Sequence, residues 1–154
     1  MNRSRPVLAI VLLGVNLLVV GCVSPVGPAR TEEDYALKAS GTAAAVLSAM
    51  GTARLVVDGV TGDDLFTPYV ALMLSESEAA AAGAQSTFDG IQPPPGRESA
   101  ALRTRLDDLV DRCVDRLADL RIAARRGDLA VVAQQGEALD RLTRELEQLD
   151  EGLP

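Results

Sequence analysis

Histidine is absent from all 154 residues, and that absence excludes much chemistry. Without imidazole there is no Ser–His–Asp or Cys–His arrangement and no histidine acid–base catalysis, and the usual nitrogen ligands for zinc or haem iron are missing. Tryptophan is also missing, aromatics make up only 3% of the chain, and there are two cysteines. Any catalysis would have to rest on carboxylates, tyrosine, arginine or Cys113. The expectation is therefore a protein that is not an enzyme, with no catalytic, metal-binding or cofactor-binding set.

Positive charge is scarce as well. Fifteen basic residues stand against 22 acidic ones, for a net charge of −7, and only Lys38 is a lysine. Arg3 and Arg5 fall in the first 21 residues, which hold no acid, so the remaining 13 basic and 22 acidic residues leave −9. Such a chain is repelled by nucleic acid phosphates and by anionic lipid headgroups. Nucleic acid is thus excluded as a partner.

The one long apolar run opens the chain. After the basic head of Arg3 and Arg5 comes Val7 to Val20, interrupted by Gly14 and Asn16, and then Gly21 and Cys22. A basic head, a short apolar stretch and a small residue form the three-part pattern of an export signal, and the stretch is shorter than a spanning helix prefers. Val19-Val20-Gly21-Cys22 resembles the lipobox of bacterial lipoproteins: an aliphatic residue, a tolerant position, a small residue and cysteine. In that family leucine is commoner than valine at the first of these positions. The resemblance covers residues 1–22 only. It implies cleavage before Cys22, diacylglycerol on its sulfur and, in many bacteria, an acyl chain on the new amino group. Two or three chains make a stable anchor where one is marginal. The expected location is the extracytoplasmic face of the cell membrane.

Residues 22–30 contain Pro25, Gly27 and Pro28 and read as the lipidated cysteine and a short tether. The eight residues after Cys22 span at most roughly 26–29 Å. Residues 31–154 read as one helical domain, with Ala, Leu and Val dominating the apolar residues and no strand-like alternation. Thr31 and Asp34 open helix one, whose apolar face runs Ala36, Ala39, Ala43, Val46, Met50, Ala53, Val57 and Val60. Gly41, Gly51 and Gly59 weaken this helix and are expected to let a neighbouring helix come close, and Gly62 ends it. Thr67 as cap and Pro68 as first residue start helix two. Val70, Met73, Ser77, Ala81, Ala84 and Phe88 mark its inner face.

Gly90 and the Gln92–Gly96 proline run turn the chain into helix three, about Glu98 to Arg126. Its stripe is Leu102, Leu106, Leu109, Cys113, Leu117, Leu120 and Ala124, flanked by Val110 and Val114. Arg105–Asp108, Asp108–Arg112 and Arg116–Asp119 are spaced to pair on its outer face. Gly127 stops it and Asp128 is expected to cap helix four. That helix carries the stripe Val132, Gln135, Leu139, Leu142, Leu146 and Leu149, with Glu137–Arg141 and Asp140–Arg144 outside. Four amphipathic helices with short connections pack most simply as an up-down-up-down antiparallel four-helix bundle; a coiled-coil hairpin of helices three and four alone is the alternative.

Each candidate for chemistry has a plainer explanation. Cys113 on the core stripe reads as a buried, inert thiol, against an intermolecular disulfide as the sharper alternative. Asp58, Asp63 and Asp64 near Gly59 and Gly62 offer oxygen ligands, but their spacing does not match a calcium loop, and polar turn residues explain them. Glu76 and Glu78, like the acids of helices three and four, read as solvated side chains and not as a hydrolytic pair. Gln135 on an apolar stripe suggests a buried polar register device. Tyr35 and Tyr69 are expected to pack beside neighbouring helices. The leading expectation is a lipid-anchored scaffold that binds an envelope or surface protein, or serves as an accessory subunit. The alternative is a small-molecule or lipid carrier at the membrane surface, with an apolar cavity left between helices by the small side chains of helices one and two.

Overall fold

The computed structural model describes residues 29–62 and 65–154. Among them every regular element is an α-helix: α1 (Glu32–Thr61), α2 (Thr67–Asp89), α3 (Arg97–Arg125), α4 (Leu129–Ala133) and α5 (Gly136–Asp150). α1 and α3 touch each other, and both touch α2 and the α4–α5 pair. Helices one and two thus pack against helix three, which removes the isolated hairpin of helices three and four.

α1 begins where its sequence says. The Thr31 side chain accepts from the Asp34 amide at 3.1 Å, satisfying one donor of the first turn. Asp34 does not reach back to Thr31, as a capping box would have it, but accepts from the Arg30 amide at 3.2 Å. Ala39, Ala43, Val46, Met50, Ala53 and Val57 are buried as their spacing requires. Two of the three glycines behave differently from expectation. Gly41 and Gly51 are exposed, with open space where a side chain would be, so no helix approaches there. At Gly59 the close neighbour is the side chain of Leu65, from the α1–α2 connection.

The start of α2 corrects the expected cap. Phe66 is the N-cap and makes no side-chain cap bond, while Thr67 is already helical with Pro68 behind it. The inner face is also rotated slightly. Leu74 is fully buried with Val70, Ser77, Ala81 and Phe88, whereas Met73 and Ala84 are half-buried. Ser77 satisfies its hydroxyl by donating to the Met73 carbonyl at 2.9 Å.

α3 follows its stripe closely. Leu106, Val110, Cys113, Leu117, Leu120 and Ala124 are buried; Leu102 and Leu109 are half-buried at its edge. It ends through Gly127, whose φ of +79° lies in the left-handed region that favours glycine. On its outer side Asp108–Arg112 and Arg116–Asp119 pair at 3.8 Å.

The fourth helix departs most from expectation. It is broken into α4 and α5 at Gln134 and Gln135, with Gly136 opening the second piece. Asp128 makes no side-chain cap bond there. Two features coincide with the break. Glycine is a weak helix former, and the Gln135 amide group is engaged sideways, its Oε1 accepting from Arg116 Nη1 at 2.7 Å. Beyond it Leu139, Leu142, Leu146 and Leu149 are buried as their spacing predicts. Asp140 meets Arg54 of α1 at 2.8 Å rather than a partner on its own helix.

Candidate functional site

Val19, Val20, Gly21 and Cys22, the expected lipid site, lie outside the described residues, as do Asp63 and Asp64. What the structure does describe is where the tether meets the domain. Ala29 is buried, as is Ile91 from the α2–α3 turn. Just inside, the Tyr35 ring packs on Phe88 of α2 with centroids 5.4 Å apart. Arg103 of α3 completes this end. Its Nη1 donates to the Ile91 carbonyl at 2.7 Å, its Nη2 to the Asp89 carbonyl at 3.3 Å, and its guanidinium lies 5.8 Å from the Phe88 centroid. Asp107 pairs with Arg103 at 3.3 Å, yet burial outweighs that attraction and raises its pKa. The last carbonyl of α2, that of Asp89, and the Ile91 carbonyl of the following turn are thus satisfied by a cation. Sequence spacing gives only the Arg103–Asp107 pair; nothing in it links Arg103 to a carbonyl twelve residues earlier.

Tyr35 is buried with no hydrogen-bond partner for its hydroxyl. Burial raises its pKa more than the neighbouring Arg103 lowers it. Tyr69, by contrast, is exposed and faces Phe66, centroids 5.9 Å apart, instead of packing beside a neighbouring helix.

Cys113 is free and fully buried. Desolvation pushes its thiol up to about 11, so little thiolate forms near neutrality. A thiol that is both protonated and inaccessible is poorly placed for an intermolecular disulfide.

Glu76 and Glu78 of α2 differ in setting. Glu78 is held by the Nε and Nη2 of Arg121 across the α2–α3 contact, while Glu76 is exposed. Asp58 is exposed and paired with Arg54. Among the described residues no group of three His, Cys, Asp or Glu side chains is placed to hold a metal ion.

Open clefts of about 310–320 Å³ run along the seam of α3 with α4 and α5. The central one is lined by Arg112, Arg116 and Arg141 with Asp115 and Asp119, a nearly balanced set of charges beside Leu142.

Exposed apolar side chains that the helical patterns do not announce flank the α1–α2 connection in the chain. Leu55 is 73% and Phe66 68% exposed, with Tyr69 and Leu72 also at the surface. α1 is the one helix among the described residues long and apolar enough to cross a membrane by length and composition. Its inner face nevertheless forms part of the core.

No family model matches the chain, and no curated protein or solved structure matches it.

Proposed function

We propose that residues 1–21 are an export signal and that Cys22 carries the lipid that holds the protein at the extracytoplasmic face of the cell membrane. Val19-Val20-Gly21-Cys22, set behind a basic head and a short apolar run, carries this reading. Residues 31–154 then form an up-down-up-down antiparallel four-helix bundle, α4 and α5 together making the fourth helix. The order of contacts supports that topology. Tyr35 at the start of α1 meets Phe88 at the end of α2. Glu78 and Gln85 of α2 meet Arg121 and Asp111 of α3 in reversed order. Arg116 and Arg112 of α3 in turn meet Gln135 and Glu145.

The bundle is a non-enzymatic scaffold that binds an envelope or surface protein, or joins an assembly as an accessory subunit. The supporting observation is the exposed set of Phe66, Tyr69 and Leu72 at the start of α2, with Leu55 exposed near the end of α1. Large apolar side chains gathered on a surface cost solvation until covered, and aromatic groups are frequent anchors of protein interfaces. Leu55 stands 23 residues beyond Glu32 on one helix, roughly 35 Å from the tether end, so this end of α1 is presented away from the tether.

Photoreactive residues at Tyr69 and Leu72 in intact cells are expected to give one discrete protein adduct, and the same probe at Leu37, near the tether, is expected to give none. Diffuse adducts at all three positions would overturn the protein-binding reading. Native mass spectrometry of the processed protein recovered from cell membranes separates the alternative carrier function, which requires a retained apolar ligand.

A further inference from the structure

We draw no further inference here: the strongest candidate, the uncharged outward face of α1 running through Leu37, Gly41, Ala44, Ser48, Gly51 and Leu55, is a stripe of small residues closed by a leucine at each end, and nothing in the structure shows what covers it.

Discussion

Arg103 ties α3 to the end of α2 and the turn after it through the Asp89 and Ile91 carbonyls, the Phe88 ring and the Asp89 carboxylate, and pairs with Asp107 on its own helix. Hydrogen bonds made by a charged group are worth about 1.5–3 kcal/mol, and their loss leaves the partners unsatisfied. Arg103→Ala is therefore expected to lower stability by about 2–3 kcal/mol in urea unfolding. Arg103→Lys, which keeps the charge without the planar fork, should fall between the two. A change within experimental error for the alanine variant would mean that solvent replaces these bonds at no loss.

Cys113 and Tyr35 give the core an alkaline sensitivity. The thiol stands at about 11 in the folded chain against an ordinary value of 9.0, so the folded state holds its proton more tightly than the unfolded one. The contribution is fully present below about pH 9 and is lost as pH rises through about 11. Tyr35, also raised, acts in the same direction. Stability measured across that range should decline, and the decline should be shallower in Cys113→Ala and in Tyr35→Phe. Near neutrality Tyr35→Phe should be neutral or stabilising, because the hydroxyl it removes has no partner. Alkylation of Cys113 should follow the rate of unfolding; rapid labelling of the folded chain would contradict its burial.

At the scale of helices, the patterns in the sequence were most legible where apolar residues recur every three or four positions. The stripes of α1, α3 and α5 are buried largely as spaced because a helix has only one face to bury. Details decided by tertiary contact were not legible. Leu74 rather than Met73 faces the core of α2, a small rotation that two adjacent apolar residues leave open. At the break Gln135 meets Arg116 of α3, and Asp140 finds Arg54 on α1. Local spacing contains neither partner.

The glycines of α1 test the same point. Gly41 and Gly51 face open space, so alanine at either position should raise stability by up to about 1 kcal/mol through helix propensity. Gly59→Ala should not, since Leu65 occupies that space and must move aside. Thermal unfolding of the three single variants distinguishes these outcomes. Destabilisation by Gly41→Ala or Gly51→Ala would show that this face of α1 is occupied in the folded protein.

For the whole molecule, the core is one continuous set of aliphatic side chains with Tyr35 and Phe88 near the tether end. Leu74 and Leu117 are completely buried, and truncating either to alanine should cost about 2–5 kcal/mol. The cost should register in the unfolding of the whole domain, because α1 and α3 each contact every other helix. Separate transitions for the two halves would contradict a single core.

The proposed site was legible in a different way from the fold. Cys22 stands out through four consecutive residue types and their position behind an apolar run, which a linear pattern records fully. The exposed apolar side chains flanking the α1–α2 connection emerge only from exposure, because Leu55 and Leu72 look in sequence like any other helical leucines.

The chain's intact mass, measured on protein recovered from cell membranes, tests the account most directly. It should equal that of residues 22–154 plus diacylglycerol, with or without an added acyl chain, and the Cys22→Ser variant should remain unprocessed and unlipidated. A full-length chain with an unmodified thiol at Cys22, or a serine variant processed and retained like the parent, would contradict it.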